Sequence, residues 1–202
     1  MCGRKRKLEF YAVMGNRGDS RAYQTPLRDR PLSSVLIHAA AGRPTQGWLV
    51  AGAYTLPVAL GRGGIKANKF EGDGGTPRGT FRPVRLWWRS DRHPRPRTYL
   101  PIQAIRPTDA WSEDPADRHY NRAIVRGPGD GGDRLMRDDH LYDFIVEIDH
   151  NTRPRVAGRG SAVFLHLARE KFSPTAGCVG LTRSAMLRLL SRLGPNTKIV
   201  IA

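Results

Sequence analysis

The sequence is short of cysteine and of long apolar runs. Only two cysteines occur among 202 residues, Cys2 in a basic stretch and Cys178 near the end of the chain, so a disulfide framework is not expected. The longest apolar stretch, 48–60, contains Gly52 and Pro57 and falls short of the ~20 residues that span a bilayer. The sequence therefore predicts no membrane span.

Acidic residues are also scarce, because 18 Asp and Glu stand against 34 Lys and Arg. The resulting net charge of +16 and pI of about 10.9 favour anionic partners such as nucleic acid, anionic lipid or an anionic wall polymer. Apolar residues make up 39% of the chain, which is enough for a buried core.

The start of the chain differs from the rest. Residues 1–30 are polar and basic without a hydrophobic period, so we predict a flexible N-terminal segment there and one folded domain at 31–202. Residues 8–13 could add an edge strand. No secretory signal is visible, because the basic run 4–7 leads only into a short stretch that contains Glu9.

From residue 32 onward, short β-rich runs alternate with Gly and Pro. The runs lie at 34–38, 47–50, 54–60, 80–88, 141–148, 161–167 and 197–202. The first three are closely spaced, which is typical of an antiparallel meander, and 161–167 is nearly all apolar, which indicates a buried strand. One amphipathic helix is predicted at 183–193, with Thr182 as N-cap and Gly194 at its end. We therefore expect a mostly β fold with few helices and one C-terminal amphipathic helix.

Two loops interrupt this pattern. The first has six glycines between residues 61 and 75, but it lacks the Gly-Lys-Ser/Thr sequence and the following helix of a phosphate-binding P-loop, so we interpret it as structural. The second, 89–134, is rich in Pro, Arg, Asp and Gly, which indicates long loops that shape a pocket. Within it, Trp111, Tyr120 and Asn121 are best able to pack or bind.

Cys178 follows the predicted buried strand in a turn-like segment, 173–181. Free cysteine is often a small buried hydrophobe. A thiolate is also a nucleophile for carbonyl carbon, provided that a base removes the thiol proton and backbone N–H groups face the developing oxyanion. Gly177 allows a tight turn, and His166, 12 positions before Cys178, is the natural base at the end of the strand. Both interpretations stay open on spacing alone.

A metal site is a weaker hypothesis. Residues 138–140 (Asp-Asp-His) and Asp143 are potential ligands, but neither an HExxH motif nor a pair of CxxC motifs occurs. A solvated acidic face is the simpler interpretation, so we expect no metal.

Nucleic-acid binding is the other alternative. Trp87 and Trp88 beside Arg85 and Arg89 could stack on bases and hold phosphates. The motifs of the common nucleic-acid-binding folds are absent, so charge supports nonspecific attraction only and nucleic acid is not the expected partner.

The residues around Cys178 and His166 carry a family signature. Residues 164–166 (Phe-Leu-His) followed by 173–179 (Ser-Pro-Thr-Ala-Gly-Cys-Val) resemble the His…Ser/Thr-x-Gly-Cys signature of the L,D-transpeptidase (YkuD) catalytic domain. The stretch 69–79, Lys-Phe-Glu-Gly-Asp-Gly-Gly-Thr-Pro-Arg-Gly, is similar to a segment of one branch of this family. Residues 142–151 and 160–162 also fit that branch, so the resemblance covers about residues 32–202.

The resemblance implies a YkuD-like β-sandwich domain and a peptidoglycan L,D-transpeptidase, a cysteine acyltransferase that uses no metal or cofactor. Cys178 would attack the diaminopimelate–D-Ala bond of a tetrapeptide stem, form a thioester and transfer the acyl group to an amine, giving a 3→3 crosslink. His166 would be base and then acid, oriented by the Leu167 carbonyl. Thr175 would support the site, and the amides of Gly177 and Cys178 would face the oxyanion.

Other functions that are consistent with the same resemblance stay open. With water in place of the amine, the same residues would form an L,D-carboxypeptidase. An inactive site would leave a basic module that binds the wall or nucleic acid. The substrate of this family implies the cell envelope or periplasm, where an anionic wall polymer could retain the basic chain.

The chain departs from the family pattern at two positions. Many members have His-Gly where this chain has His166-Leu167, and many have Arg shortly after the cysteine where this chain has Gly180. Another cation must then recognise the stem carboxylate. The sequence offers Arg169, Lys171, Arg183 and the Arg-rich loop for this role.

Overall fold

The computed structural model describes residues 30–127 and 130–202. The predicted edge strand at 8–13 and nearly all of the predicted N-terminal segment lie outside the described residues. The division into 1–30 and 31–202 therefore stays a prediction.

The described residues are mostly β with one α-helix, as predicted. In chain order the elements are β1 (Ser34–Ala40), β2 (Arg43–Ala51), β3 (Tyr54–Ala59), β4 (Ile65–Lys66), β5 (Thr76–Pro77), β6 (Gly79–Phe81), β7 (Pro83–Trp88), β8 (Ile102–Ala104), β9 (Asp109–Trp111), β10 (Ala123–Val125), β11 (Asp133–Arg134), β12 (Phe144–Ile148), β13 (Phe164–Leu167), a 3₁₀ turn (Glu170–Phe172), β14 (Val179–Leu181), α1 (Arg183–Leu190) and β15 (Lys198–Ile201). No helix among them is long and apolar enough to cross a membrane.

Ten of the strands form one mixed sheet in the order β6-β15-β1-β2-β3-β14-β13-β12-β7-β8. The neighbours β1, β2 and β3 are antiparallel, as their close spacing predicted. The last strand, β15, joins β1 in parallel. The short strand β14 lies between β13, to which it is parallel, and β3, to which it is antiparallel. Segments far apart in sequence are thus neighbours in the middle of the sheet.

The two loops contain short strands that the sequence pattern did not predict. Strands β10, β9 and β11 form a three-stranded sheet within the second loop, and β4 pairs with β5 within the glycine-rich loop. Each of these strands has only two or three residues, too few to produce a visible period of two.

Helix α1 begins at Arg183, as predicted, and Thr182 Oγ1 accepts a hydrogen bond from the Ala185 N–H at 3.2 Å. It ends at Leu190 rather than at Leu193. The Leu193 N–H bonds to the carbonyl of Leu190, three residues back, so the last predicted turn is a tighter one.

The middle of the sheet is apolar on both faces. Side chains alternate along a strand, so Leu165 and Phe164 of β13 point to opposite faces. Leu165 and Val179 belong to an apolar cluster that also includes the buried face of α1. Phe164 and Cys178 belong to a second cluster with Trp111. Burial on both faces explains why the run 161–167 is nearly all apolar.

We expect Leu165→Ala to lower the free energy of unfolding by about 2–5 kcal/mol, because it opens a cavity in the fully buried middle of the sheet. Denaturant unfolding followed by circular dichroism measures the change. The control is Val156→Ala at an exposed position, where we expect a change within about 0.5 kcal/mol. Equal effects of the two substitutions would contradict the described packing.

Candidate active site

Cys178 and His166 are brought to one face of the sheet by the register of β13 and β14. Leu165 pairs with Val179 and His166 with Gly180. Cys178, one residue before β14, therefore lies opposite Phe164, and His166 is two positions further along the neighbouring strand. Positions two apart on a strand share a face, so the thiol and the imidazole are diagonal neighbours across the two strands.

The His166 ring is buried and oriented by its own strand. Its Nδ1 donates a hydrogen bond to the Leu167 carbonyl at 2.8 Å, and a carbonyl can only accept. In the neutral ring Nε2 therefore keeps its lone pair. The edge of the Tyr142 ring meets the imidazole with centroids 5.4 Å apart. Burial lowers the pKa of His166 to about 4, against the raising effect of the Leu167 carbonyl.

The Cys178 thiol is also buried and neutral. Sγ donates to the Ala162 carbonyl at 3.1 Å and accepts from the Phe164 N–H at 3.4 Å. Burial, helped by the nearby carboxylates of Asp133 and Glu113, raises the pKa of the thiol to about 12 against the lowering effect of the Phe164 N–H. At neutral pH both Cys178 and His166 are therefore uncharged.

The segment before Cys178 is held in shape by Thr175 and Gly177. Thr175 Oγ1 donates to the Cys178 carbonyl at 2.6 Å and accepts from the Gly177 N–H at 3.1 Å. Gly177 has φ +143°, and a Cβ there would come within 2.8 Å of the Gly75 carbonyl oxygen. A residue with a side chain would collide, so the turn into Cys178 requires glycine.

Backbone hydrogen bonds connect the glycine-rich loop to the segment before Cys178. The Arg62 N–H bonds to the Thr175 carbonyl, and the Thr175 N–H bonds to the Leu60 carbonyl, both at 2.9 Å. The buried Thr76 hydroxyl accepts from the Gly61 N–H at 2.8 Å. These contacts agree with the structural interpretation of the loop, because its backbone groups are engaged with the protein itself.

A cavity of about 740 Å³ opens over these groups, lined by Cys178, His166, Gly177 and Thr175. Its charged lining residues are Arg62, Lys69, Arg137 and Arg169, and the carboxylates Glu71, Glu113 and Asp133. The cavity is therefore suited to a ligand that carries both positive and negative groups, as amino acids and peptide ends do.

The carboxylates of the cavity crowd one another. The Tyr142 hydroxyl donates to Asp133 Oδ2 at 2.5 Å, and the Tyr120 hydroxyl donates to Glu71. Glu113 is exposed as a residue but makes no hydrogen bond or salt bridge to the described residues. The atoms packed around its carboxyl, together with the Asp133 and Glu71 carboxylates, raise its pKa to about 7.

The cations of the cavity differ in how far they are already neutralised. Lys69 bonds to Asp73 at 2.7 Å, and Arg137 bonds to Asp139 at 2.8 Å. Arg62 and Arg169 form no side-chain hydrogen bond or salt bridge with the parts of the chain that the structure describes. Their guanidinium groups are therefore available to an anionic ligand.

The arginine that the resemblance places near this position would have little room at Gly180. It lies buried in β14, and a Cβ there would come within 3.1 Å of the Ala168 Cα and 3.3 Å of the Ala59 Cβ. Of the substitutes considered from the sequence, Arg169 lines the cavity, Arg183 lines a neighbouring cavity, and Lys171 lines neither.

The residues of the nucleic-acid hypothesis are engaged inside the protein. Trp87 is buried and its Nε1 donates to Glu147, which also bonds to Arg85 at 3.1 Å. Arg89 is buried and bonds to Asp91 at 2.6 Å. Trp87 and Arg89 are therefore not exposed to a ligand.

Asp143 and His140, which the sequence offered as metal ligands, form hydrogen bonds within the protein. Asp143 bonds to His140 at 2.9 Å and to His93 at 2.7 Å through the same carboxylate oxygen. Within residues 30–127 and 130–202, no group of three or more His, Cys, Asp or Glu side chains could hold a metal ion.

Four charged cavity residues were not singled out by the sequence. They are Arg62, Glu113, Asp133 and Arg137. No sequence motif marks these residues as members of one site. They are brought together only by the fold. For Glu113 and Asp133, only the prediction that 89–134 shapes a pocket indicated that they could line a cavity.

Comparison with known proteins identifies the family. The family model described as YkuD, L,D-transpeptidase catalytic domain, matches residues 46–201. The chain therefore belongs to the YkuD family of L,D-transpeptidase catalytic domains, which confirms the resemblance seen in the sequence. No curated protein shows a significant match.

A solved structure, L,D-transpeptidase 1 of Mycobacterium tuberculosis, is similar at 13% sequence identity with a TM-score of 0.37. The match covers 85% of this chain and 61% of the mycobacterial chain. This chain thus corresponds to about three fifths of that protein.

The lowered pKa of His166 predicts a pH-dependent stability. The folded state binds fewer protons at His166 than the unfolded state between pH 6.5 and about 4, so its contribution is complete above pH 6.5 and is lost on acidification. The loss is on the order of 3 kcal/mol by pH 4. Urea unfolding at both pH values should show that His166→Gln, which has no titrating ring, loses less stability than the wild type. An identical loss in both proteins would exclude a buried neutral His166.

The close packing at Gly180 predicts that Gly180→Arg is destabilising. We expect it to lower the free energy of unfolding by about 3 kcal/mol or more, through overpacking and through burial of an unpaired charge, which thermal unfolding would record as a lower Tm. Gly131→Arg is the matched control, because a Cβ there has nothing within 4 Å. A Gly180→Arg protein as stable as this control would show that β14 has room for a side chain.

Proposed function

We propose that the chain is a peptidoglycan L,D-transpeptidase that acts in bacterial cell-wall biogenesis, with Cys178 as nucleophile and His166 as base. The observation that carries the proposal is that a thiol and an imidazole with a free Nε2 lone pair line the same cavity on neighbouring strands. Membership of the YkuD family supports the reaction class.

The charges of the cavity support a stem peptide as substrate. A tetrapeptide stem ends in the D-alanine carboxylate, and its diaminopimelate carries a further carboxylate and an amine. Arg62 and Arg169 form no side-chain hydrogen bond or salt bridge with the described residues and line the cavity, so we assign them to the carboxylates. Glu113 and Asp133 suit the amine, because both are carboxyl groups on the same cavity.

Acylation begins when the thiol turns from the Ala162 carbonyl toward His166 and gives its proton to Nε2. The sulfur attacks the carbonyl carbon of the diaminopimelate–D-Ala amide, and the carbonyl oxygen becomes an oxyanion. The Cys178 N–H, with that of Gly177 once it leaves Thr175 Oγ1, would stabilise this oxyanion. His166 then gives its proton to the nitrogen of D-alanine, the C–N bond breaks, and a thioester remains on Cys178.

Transfer to the acceptor repeats the same steps in reverse. A neutral amine attacks the thioester carbon while His166 Nε2 takes its proton. The C–S bond breaks, the sulfur recovers the proton from His166, and a new amide is released. Because His166 alternates between base and acid, a pKa held low by burial keeps it ready as the base.

The neutral resting state of the pair follows from burial. A thiolate and an imidazolium would both be poorly solvated there, so the proton moves only when a bound substrate can accept the sulfur's charge. The hydrogen bond from Nδ1 to the Leu167 carbonyl favours the charged ring, which lowers the cost of that transfer.

The cell envelope is the location that this function requires, because peptidoglycan stems lie outside the cytoplasmic membrane. The net charge of +16 would favour retention on an anionic wall polymer.

The test is product analysis by mass spectrometry after incubation with purified disaccharide-tetrapeptides. We expect the wild type to release D-alanine and form crosslinked dimers, and Cys178→Ala to do neither. His166→Gln should react about 10²–10⁴-fold more slowly, as loss of a general base does. His38→Gln, on β1 outside the cavity, is the matched control and should retain full activity.

Other products would change the assignment. Release of D-alanine without dimers would make the chain an L,D-carboxypeptidase that uses the same residues. An untouched tetrapeptide under reducing conditions, in a wild-type protein shown to be folded, would reject the enzyme and favour a wall-binding module.

A further inference from the structure

One lysine of the cavity is buried. Lys69 begins the segment 69–79 of the glycine-rich loop, and its side chain is only 7% exposed. Lysine is seldom buried to this extent, because its ammonium group loses its water there. Lys69 also lines the same cavity as Cys178 and His166. A loop with a structural role alone does not require a buried lysine at the wall of this cavity.

Two glycines leave room for the stem of Lys69. A Cβ on Gly160 would come within 2.9 Å of the lysine Cγ and 3.1 Å of its Cε. A Cβ on Gly177 would lie 3.7 Å from the same Cε. The end of the lysine stem therefore packs against Gly160 and against the residue that precedes Cys178. This packing places the end of the side chain beside the segment that carries the thiol.

Asp73 fixes the position of the ammonium group. Lys69 Nζ donates to Asp73 Oδ1 at 2.7 Å and to the Phe70 carbonyl at 2.9 Å. The Asp73 carboxylate also accepts from the N–H groups of Phe70 and Gly75. Against burial, which raises it, these hydrogen bonds lower the pKa of Asp73 to about 2. A lysine ammonium has three hydrogens, and its two contacts with the described residues leave one for the cavity.

The two charges of this ion pair do not lie equally near the site. Lys69 lines the cavity, whereas Asp73 does not. Burial and two nearby carboxylates raise the pKa of the Cys178 thiol, and the charge of Lys69 acts in the opposite direction. The positive end of the ion pair therefore faces the site.

The proposed reaction creates negative charge at this place. Cys178 gives its proton to His166, and the charge of the sulfur then passes to the oxygen of the attacked carbonyl. A cation that is fixed before the reaction stabilises such a charge without having to reorganise. Arg62 and Arg169 are assigned to the carboxylates of the substrate, so Lys69 is the cation of the cavity that remains beside the segment before the thiol.

We propose that Lys69, fixed by Asp73, stabilises the negative charge that forms on the sulfur of Cys178 and on the oxyanion of its substrate. This inference rests on the proposed function and assigns a further residue to it. The lysine and the aspartate both belong to the segment 69–79. The glycine-rich loop therefore supplies a charge to the reaction in addition to its contacts with the segment before Cys178.

The experiment measures the alkylation of Cys178 by iodoacetamide as a function of pH. Mass spectrometry of the peptide that contains Cys178 separates it from Cys2. Lys69→Met keeps an unbranched side chain without the charge. Because only the thiolate reacts, we expect this variant to react about 3–10-fold more slowly than the wild type below the pKa of the thiol.

Turnover of the disaccharide-tetrapeptide is measured on the same proteins. Lys69→Met should lower kcat by about 10-fold or more, because the charge acts on the transition state. KM should change by less than about twofold, because the lysine does not bind the carboxylates of the substrate.

Two variants serve as comparisons. Lys66→Met removes the other lysine near Asp73, whose Nζ lies 3.8 Å from Oδ2. The Lys66 side chain is 39% exposed and does not line the cavity, so both rates should stay within about twofold of the wild type. Asp73→Asn should instead speed alkylation, because it leaves the charge of Lys69 without its anion. Circular dichroism verifies that each variant is folded.

The opposite directions separate charge from structure. Lys69→Met and Asp73→Asn break the same ion pair, so a purely structural role would change both alkylation rates in the same direction. Slower alkylation in both variants, or a wild-type rate in Lys69→Met, would overturn the inference. A normal kcat in Lys69→Met, with or without a raised KM, would also overturn it.

The two readouts distinguish this inference from the proposed function. Iodoacetamide carries no peptide, so the alkylation of Cys178 reports on Lys69 without any peptidoglycan. If Lys69→Met alkylates at the wild-type rate while the wild type forms dimers, the role of Lys69 is wrong and the transpeptidase assignment stands. If the folded wild type alkylates at Cys178 but leaves the tetrapeptide untouched, the proposed function fails, and the role of Lys69 in the reaction fails with it.

Discussion

The parallel pairing of β14 with β13 is the constraint on which the candidate site depends. β14 is three residues long and is held between β13 and β3, where Gly180 allows a close approach to Ala168. This register puts Cys178 opposite Phe164 and His166 on the same face. Because side chains alternate, a slip of one residue would move Cys178 to the other face of the sheet and away from the imidazole.

The surroundings of the thiol are organised from the second loop. Asn121 Oδ1 accepts from Trp111 Nε1 at 3.0 Å and from the Ala162 N–H at 3.2 Å. Ala162 has φ +49°, a conformation that costs energy for a residue with a side chain and needs surrounding support. Its carbonyl is the group that accepts the Cys178 thiol. The loop 89–134 therefore reaches the sulfur through the Asn121 amide as well as through the apolar cluster that contains Trp111.

Burial and charge act in opposite directions on the proposed chemistry. Burial keeps Cys178 and His166 neutral, and the carboxylates that suit a cationic amine also disfavour a thiolate. Arg62 and Arg169 line the same cavity and form no salt bridge with a described residue. A substrate with both kinds of group would complement this arrangement.

The sequence by itself determined the mostly β class, the meander and the start of α1, because these depend on local periodicity and capping. A short two-part motif made Cys178 and His166 candidate site residues. The sequence did not determine the end of α1, the small sheets, or Arg62, Glu113 and Asp133 as cavity residues. Only the tertiary structure decided these, since they depend on backbone pairing and packing between distant segments. The sequence does not show where a charged loop residue lies in the fold. The register of β13, β14 and β3 decides which of these charged residues line the same cavity.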